Sequence, residues 1–330
     1  MRYLITICNI TYMWQAFSEF ELLLCFTYIV KEIKRSIKFK KGVILMDKHW
    51  TAQLPVKDLK SITPVSGGDV NDAYRIETGN KLYFLLVQPG RAEDFYAAEI
   101  AGLRDFEKAE ITAPRVEDYG QISGDAYLLL DFLEEGSGSQ KDLGELVAKL
   151  HLTHQKDSQF GYHLPYEGSD ITFQNGWFNT WSELFIDQRL VQLHEEIIKR
   201  DLWSEQENQI FISVLEIIKG ELNKHDSKPS LLHGDLWSGN YMFLNDGRPA
   251  LFDPSPLYGD REFDLGATQV FGGFGSEFYE AYDSVYPLAE GAERRIEFYK
   301  LYLLLVHLVK FGEMYLGSVS STMRNIISKR

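Results

Sequence analysis

The chain has 330 residues, of which 45% are hydrophobic and 14% aromatic, so it is long enough to bury a substantial core as one large or two smaller domains. Its formal charge of -14, without a basic stripe, excludes nucleic acids and anionic membranes as expected partners and favours a cationic or neutral substrate. Both cysteines, Cys8 and Cys25, lie within the first 45 residues. The rest of the chain therefore has no internal disulfide, which predicts a reducing, cytoplasmic location.

Residues 1–45 differ in composition from everything that follows. They carry a net charge of +4, whereas the chain from Met46 onward carries -18. The apolar run LLLCFTYIV is too short for a membrane span, and the basic residues follow it rather than precede it, unlike in a secretory signal. Residues 41–43 (KGV) can be back-translated as AAA-GGA-GTN, which resembles a bacterial ribosome-binding site at the right distance from Met46. We therefore expect an over-extended gene start, with translation beginning at Met46.

The segment 46–134 shows strand patterns around a glycine-rich turn. The runs LKSITPV and VNDAYRIE flank SGGD, and a TGN turn leads to a third strand, KLYFLLVQ. Residues 92–108 have apolar side chains near helical spacing, after which APRVEDYG and AYLLLDFL return to strand character. The Gly/Ser-rich run EEGSGS, at 134–139, is the best boundary. We therefore predict a small antiparallel β-rich N-lobe with one helix over residues 46–134.

Residues 135–330 are predicted to form a larger, mainly helical C-lobe. Helical periodicity extends over 142–156, 177–198, 203–224 and 290–312. The runs YMFL and PALF on either side of an NDG turn predict a hairpin. The predicted fold class is therefore α+β, with two lobes.

The octapeptide HGDLWSGN, residues 233–240, carries two side chains suited to phosphoryl transfer. That reaction needs a nucleotide cradle, oxygen ligands for magnesium and a group that takes the proton of the attacking hydroxyl. Asp235 and Asn240 have the spacing of the base and a metal ligand in a kinase catalytic loop, although the octapeptide alone is also typical of an Asx-rich turn. Asp253, thirteen residues after Asn240 and at the end of a predicted strand, favours the active-site interpretation, because a second magnesium-binding carboxylate belongs there.

The SGGD turn is a second candidate element. Its glycines would allow backbone N–H groups to approach phosphates closely. Two adjacent glycines between strands are by themselves more typical of a tight turn. Only the downstream motif HGDLWSGN, with Asp253 behind it, favours the phosphate-binding interpretation of the SGGD turn.

Together these motifs resemble the fructosamine kinase, or ketosamine-3-kinase, family. The matching runs are HGDLWSGN, FDPSPLYGDREFDLG, VFGGF with FYEAY, and SGGDVNDAYRI, and the resemblance covers essentially Met46 to the C-terminus. The pattern HGD-x-x-x-x-N is shared with the aminoglycoside and choline kinases, whereas Trp237 and the YGDRE-x-D block point to this family. The resemblance implies a protein-kinase-like two-lobe fold, with ATP and Mg²⁺ as cofactors.

The resemblance also implies a role for each candidate site residue. The implied assignments are Asp235 as catalytic base, Asn240 and Asp253 as Mg²⁺ ligands, Ser66, Gly67, Gly68 and Asp69 over the ATP phosphates, Glu99 as the helix acid of the nucleotide site, and Trp237 and Trp181 as substrate contacts. The implied substrates are ketoamines, sugar adducts of lysine or small amines, which are phosphorylated on a sugar hydroxyl so that the adduct falls apart.

Leu86 departs from the family pattern. The family's third strand ends in a run such as F-V-K-V, whose Lys pairs with the helix Glu and the nucleotide phosphates, but this chain has YFLLVQ. A lost charge-assisted contact of about 1.5–3 kcal/mol would weaken ATP binding or turnover by tens- to hundreds-fold. Lys81 lies at odd separation on the same strand and should point to the opposite face, so Arg75 and Arg91 are the candidate replacements.

Several other residues have a structural interpretation. His151 and His154 are expected to be a packed and a solvated helix histidine rather than zinc ligands. Trp177 and Trp181, four residues apart in a predicted helix, share a face that either packs in the core or stacks on a sugar. Asp264 is expected to brace the catalytic loop by accepting backbone N–H bonds.

Three functional hypotheses follow. The leading one is a cytoplasmic, ATP- and Mg²⁺-dependent ketoamine kinase that repairs glycated amines. A second is a related kinase acting on an aminoglycoside or amino alcohol. The third, motivated by Leu86, is a pseudokinase that binds nucleotide or glycated ligand without catalysis.

Overall fold

The strand patterns of the predicted N-lobe form one antiparallel sheet. The computed structural model describes residues 48–65, 71–167 and 171–328, so the extension 1–45, the proposed start Met46 and the SGGD residues 66–69 lie outside the described residues. A short helix, α1 (Lys48–Thr51), belongs to a separate compact unit that ends at Leu54, and it buries Trp50. Everything from Pro55 onward forms a second compact unit.

The N-lobe sheet has five strands in the order β1-β2-β3-β5-β4, and every neighbouring pair is antiparallel. The strands are β1 (Leu59–Pro64), β2 (Asp72–Thr78), β3 (Leu82–Gln88), β4 (Val116–Ile122) and β5 (Asp125–Asp131). Between β3 and β4, a 3₁₀ turn (Glu93–Tyr96) leads into the single helix α2 (Ala97–Lys108). These elements confirm the predicted N-lobe architecture.

The C-lobe is mainly helical, as predicted. Its helices are α3 (Gln140–His151), a π-helical stretch (Glu183–Leu190), α4 (Val191–Lys199), α5 (Glu205–Leu222), α6 (Glu262–Thr268), α7 (Ser276–Val285), α8 (Ala292–Phe311), a 3₁₀ turn (Gly312–Tyr315) and α9 (Leu316–Ser328). Helices α6, α7 and α9 were not among the predicted ones. Both α3 and α5 begin at serine caps, Ser139 and Ser204, whose hydroxyls accept N–H groups of the first helical turn.

Short strands fill the rest of the C-lobe. They are β6 (Phe160–Gly161), β7 (Tyr166–Glu167), β8 (Thr172–Phe173), β9 (Trp177–Phe178), β10 (Ser230–Leu232), β11 (Tyr241–Phe243), β12 (Pro249–Leu251) and β13 (Leu257–Gly259). Strands β10, β13, β6 and β9 form one sheet, β7 pairs with β8, and β11 pairs with β12. The last pair is the hairpin predicted from YMFL and PALF.

The predicted helix 177–198 is wrong at its start. Trp177 lies in β9 and is 40% exposed. The Glu183 N–H donates to Thr180 Oγ1 at 3.2 Å, and the Thr180 N–H donates to Glu183 Oε2 at 3.1 Å. This reciprocal capping box begins the helix after Thr180. Trp177 and Trp181 therefore do not share a helix face.

Two apolar cores hold the second compact unit together. One lies inside the C-lobe, where the π-helical stretch, α5, α8 and α9 contribute most of the buried side chains. The other extends from the N-lobe into the C-lobe and joins α2 and β5 to α3, α7 and strands β10 and β12. The second core fixes the sheet and α2 over the loops that follow β10 and β12.

The helical segment Ala292–Ser328 is long and apolar enough by length and composition to cross a membrane. Twelve residues of its first helix, α8, are buried inside the protein. A core helix of a globular protein meets the same criteria, so this segment is only weak evidence for a membrane-spanning helix.

A buried ion pair between α6 and α8 gives the first prediction. Arg295 Nε and Nη2 donate to Glu262 Oε2 and Oε1 at 2.8 and 2.6 Å, and both side chains are under 8% exposed. We expect Arg295→Met to lower the free energy of unfolding by about 3–5 kcal/mol, because it leaves the Glu262 carboxylate buried without its partner. Urea denaturation measures this. The control Arg248→Met removes an exposed pair with Asp246 and should leave stability nearly unchanged; equal effects would contradict the prediction.

Candidate active site

The buried carboxylate of Asp264, on α6, fixes the loop that follows β10. The backbone N–H groups of His233 and Gly234 donate to Asp264 Oδ2 and Oδ1 at 2.7 and 2.9 Å. His151 Nε2 lies 3.1 Å from Oδ2, and His151 Nδ1 lies 2.8 Å from the Tyr282 hydroxyl. The expectation that Asp264 braces this loop through backbone N–H groups is confirmed. His151 is a buried helix histidine with both ring nitrogens engaged.

His233 joins this loop to the segment that follows β12. Its Nε2 lies 3.0 Å from the Phe252 carbonyl oxygen, which requires a proton on Nε2, while its Nδ1 accepts the Asp235 N–H at 3.3 Å. Burial lowers the pKa of His233, which keeps the ring neutral in this tautomer. The ring is therefore a structural link between the two loops.

Gly234 allows a close approach that no other residue would permit. Its φ of +82° is left-handed, and a Cβ there would lie 1.7 Å from the Ser255 carbonyl oxygen. The Ser255 N–H in turn donates to the His233 carbonyl at 2.8 Å. This contact explains why glycine occupies the position where a protein kinase has arginine.

Asp235 and Asn240 are hydrogen-bonded to each other. Asn240 Nδ2 donates to the Asp235 carbonyl at 2.8 Å and to Asp235 Oδ2 at 3.2 Å. Asn240 is only 4% exposed, and its Oδ1 receives no hydrogen bond from the residues that the structure describes. Burial and the charge of Asp253 raise the pKa of Asp235 to about 7, against the opposing charge of Lys310. The Asn240 Nδ2 group thus orients the Asp235 carboxylate, and Asn240 Oδ1 remains available to a cation.

Asp253 lies beside this pair in a strained backbone conformation. The Phe252 N–H donates to the Asn240 carbonyl at 3.1 Å, which brings the segment after β12 against the loop. Asp253 itself has φ +56°, rare for a residue other than glycine, and such strain is concentrated at functional sites. Its side chain is exposed, and desolvation by the surrounding protein raises its pKa.

Helix α2 brings Glu99 to the same place. A Cβ on Gly102, one turn further along α2, would lie 2.8 Å from Pro254 Cγ and 2.9 Å from Pro256 Cγ, so α2 packs tightly on the residues after Asp253. Burial and the charge of Asp253 raise the pKa of Glu99 well above its usual range. None of the ion pairs among the described residues includes Glu99.

Leu86 occupies the face of the sheet that the missing lysine would use. It lies opposite Ala73 and Leu128 and packs on the apolar cluster that contains the α2 residues Ile100 and Leu103. Its side chain therefore points toward α2. The strand register and this packing place Leu86 on the face of the sheet that contacts the cluster containing α2 residues.

The two candidate replacements for the lysine, Arg75 and Arg91, are engaged elsewhere, as is the excluded Lys81. Lys81 forms an ion pair with Glu117, and Arg75 lies 3.2 Å from Glu77 Oε2. Arg91 lies over the ring of Phe95, with 5.4 Å between its guanidinium carbon and the ring centroid.

The two tryptophans predicted to contact the substrate have opposite environments. Trp237 is 41% exposed in the loop, where its indole lies over Gly239. Trp181 is 3% exposed, stacks on Phe185 with 5.5 Å between ring centroids, and donates from Nε1 to the Tyr299 hydroxyl at 2.9 Å. The assignment of Trp181 to the substrate site is therefore corrected, because its ring faces and indole N–H are used in the core.

Three further side chains that interact with the charge of Asp235 were not predicted. Lys310, in the last turn of α8, is close enough for its charge to lower the pKa of Asp235. Burial and the charge of Asp235 raise the pKa of Tyr166 and of Tyr302. Both tyrosines also interact electrostatically with the buried Arg189. No local motif marks them, since each lies far along the chain from the loop.

The antiparallel sheet, the helical lobe and the acid-bearing loops define a phosphotransferase of the protein-kinase-like fold that acts on a hydroxyl group. The sequence profile of the family described as fructosamine kinase matches residues 45–329. The chain is 61% identical over 283 residues to a probable ketoamine kinase of Staphylococcus aureus, covering 86% of this chain and 98% of that protein. The chain belongs to the fructosamine kinase family.

Two solved structures share the fold. The crystal structure of a candidate fructosamine-3-kinase from Haemophilus somnus aligns with a TM-score of 0.73 at 24% identity, covering 85% of this chain and 96% of that one. An aminoglycoside phosphotransferase in ternary complex with AMP-PNP and hygromycin B aligns with a TM-score of 0.58 at 16% identity, covering 85% of this chain and 97% of that one. These structures support the two-lobe arrangement.

Asp264 gives the prediction of this subsection. Asp264 accepts from the His233 and Gly234 N–H groups and contacts His151 Nε2. An asparagine amide has one acceptor oxygen and cannot satisfy all three groups. We therefore expect Asp264→Asn to lower the free energy of unfolding by roughly 1–3 kcal/mol for each buried donor left without an acceptor. Denaturant titration measures the change. The matched control Asp283→Asn alters a carboxylate that accepts only the exposed Leu288 N–H; a similar loss in that variant would contradict the role given to Asp264.

Proposed function

We propose that this chain is an ATP- and Mg²⁺-dependent ketoamine kinase. It phosphorylates a sugar hydroxyl of a fructosamine or ribulosamine adduct on lysine or a small amine, and the phosphorylated adduct then falls apart, which repairs the glycated amine in the cytoplasm. The observation that carries the proposal is the convergence of Asp235, Asn240 and Asp253 from two loops within a fructosamine kinase family chain. Residues 46–134 form the nucleotide-binding lobe, and residues 135–330 carry the catalytic and substrate-binding groups.

The residues present fit a magnesium ion. Mg²⁺ prefers oxygen ligands, and Asn240 Oδ1 and the Asp253 carboxylate are oxygens that receive no hydrogen bond from the described residues. Asp253 raises the pKa of both Asp235 and Glu99, so the cleft holds neighbouring acids whose repulsion a bound cation would relieve. Asn240 and Asp253 would hold the ion, which would neutralise negative charge on the phosphates of ATP.

Asp235 is the proposed base. Its carboxylate would take the proton of the attacking sugar hydroxyl as the oxygen bonds to the γ-phosphorus and ADP leaves. Asn240 fixes its orientation, and the nearby charge of Lys310 favours the ionised form that a base requires. Trp237, exposed in the same loop, is the proposed contact for the acceptor.

The nucleotide side of the site rests on fewer groups. Residues 66–69 are proposed to lie over the ATP phosphates, with Glu99 facing them from α2. Among the described residues, no Lys or Arg forms an ion pair with Glu99, so in this proposal the metal ion and backbone N–H groups hold the phosphates without a lysine.

Removing the base is the direct test. We expect Asp235→Asn to lower phosphorylation of ribulosyl- or fructosyl-lysine by about 10²–10⁴-fold while nucleotide still binds, because the amide cannot accept the proton. ATP consumption with each ketoamine, beside calorimetry with a non-hydrolysable analogue, measures both. The control Asp246→Asn changes an exposed turn acid and should leave the rate unchanged.

The same assay separates the alternatives. Turnover confined to aminoglycosides or amino alcohols would favour the second kinase hypothesis. Bound nucleotide with no turnover of any acceptor would favour a pseudokinase.

Leu86 gives a further prediction. We expect Leu86→Lys to tighten ATP binding by about tenfold or more, because the new ammonium would face Glu99 and the phosphates, and such a charge-assisted contact is worth about 1.5–3 kcal/mol. The control Leu86→Met keeps the volume without the charge and should leave ATP binding unchanged. Equal dissociation constants for the Leu86→Lys variant and the wild-type chain would show that another cation already serves the phosphates.

A further inference from the structure

Helix α2 belongs to the N-lobe but packs against both loops of the candidate active site. Its Gly102 lies against Pro254 and Pro256, where even a Cβ would approach a proline ring carbon to 2.8 Å. Its Phe106 is fully buried, with 5.8 Å between its ring centroid and that of His233. These apolar contacts bring α2 against the C-lobe. Because apolar packing is non-directional, they leave the precise orientation of the helix to other interactions.

A hydrogen bond between Tyr162 and Asp105 supplies a directional contact at the C-terminal end of α2. The Tyr162 hydroxyl donates to Asp105 Oδ2 at 2.6 Å, while Asp105 Oδ1 accepts from Lys108 Nζ on the same helix at 2.8 Å. Tyr162 is only 1% exposed, and its backbone N–H donates to the Gly176 carbonyl at 3.0 Å. A short bond from a hydroxyl to a carboxylate is among the stronger hydrogen bonds in proteins. Tyr162 therefore anchors α2 to the C-lobe.

The other end of α2 is joined to the segment that follows the glycine-rich turn in the sequence. Tyr96, at the end of the 3₁₀ turn that leads into α2, is 2% exposed, and its hydroxyl donates to Asn71 Oδ1 at 3.1 Å. Asn71 comes directly before β2. Two side-chain hydrogen bonds, one at each end of the helix, thus connect the C-lobe through α2 to the start of β2.

Glu99 lies on the face of α2 that these contacts hold in place. It precedes Gly102 by three residues and Asp105 by six, and helix residues three apart share a face. Its side chain is therefore on the side of the helix that meets the segment after Asp253. Leu86 stands where the family pattern has the lysine that pairs with this acid, so β3 supplies no ammonium to hold α2.

We infer that Tyr162 and Asp105 are positioning residues that hold α2, and with it Glu99, at the nucleotide side of the cleft. The inference rests on the proposed function and concerns how that site is held together. In the family pattern an ion pair ties the helix acid to β3, whereas in this chain the hydrogen bond to the C-lobe fixes the helix instead. Loss of this bond lets α2 shift, and Glu99 and the segment before β2 shift with it.

Nucleotide affinity tests the inference without any acceptor present. Tyr162→Phe removes only the hydroxyl, and we expect the dissociation constant of AMP-PNP with Mg²⁺, measured by calorimetry, to rise about three- to tenfold. Asp105→Ala should give a similar rise, whereas Asp105→Asn, whose amide oxygen still accepts the hydroxyl, should give a smaller one. The matched control is Tyr127→Phe, which removes a 2.7 Å hydrogen bond to Asp118 within the sheet and should leave the affinity unchanged.

A second background separates a positioning role from a merely structural one. Leu86→Lys supplies an ammonium that would pair with Glu99, so in that background Tyr162→Phe should change the dissociation constant by under about twofold. A rise by the same factor in both backgrounds would overturn the inference, because general destabilisation does not depend on residue 86. Equal affinities for the Tyr162→Phe and Tyr127→Phe variants would overturn it as well.

These outcomes do not depend on the acceptor. If the wild-type chain bound AMP-PNP but turned over no ketoamine, the proposed function would be wrong, and the affinities of the variants would still decide the role of Tyr162. If the wild-type chain bound no nucleotide at all, both the proposed function and the inference would be wrong.

Discussion

The carboxylate of Asp264 is the interaction on which the candidate active site depends. It accepts the N–H groups of His233 and Gly234 and contacts His151, so one buried side chain joins α6, the loop before Asp235 and helix α3. Backbone donors in a loop have no helix or sheet to satisfy them, and leaving them buried without an acceptor would be costly. Because these donors are satisfied here, the loop can hold Asp235 in a fixed position without regular secondary structure.

Two close approaches then bring acids from three parts of the chain together. Gly234 lets the loop touch the segment after Asp253, and Gly102 lets α2 pack on the prolines of that segment. Asp253 lies near both Asp235 and Glu99, and burial and the charge of Asp253 raise the pKa of both. The charge of Lys310 opposes this shift at Asp235, whereas Leu86 stands where the family pattern has a lysine that would face Glu99.

The sequence predicted those parts of the molecule whose signals are local. Strand alternation around Leu86 and the NDG turn before Asp253 depend on neighbouring residues, and both were predicted correctly. The helix 177–198 was predicted to begin too early because a helical period does not reveal where a helix begins, and the Thr180 cap starts it three residues after Trp177. Trp181 was assigned to the substrate from the family resemblance, which does not show that its ring is buried in the core. Lys310 could not have been predicted, since only tertiary packing brings its charge near Asp235.

Lys310 distinguishes the surroundings of Asp235 from those of Glu99. Burial and the charge of Asp253 raise the pKa of both acids, but only at Asp235 does a lysine oppose the shift. In the proposed reaction, a metal-bound nucleotide would compensate the acids Glu99 and Asp253. The overall charge of -14 concerns long-range attraction of a substrate. Close to Asp235, by contrast, the individual charges of Asp253 and Lys310 act on the carboxylate in opposite directions.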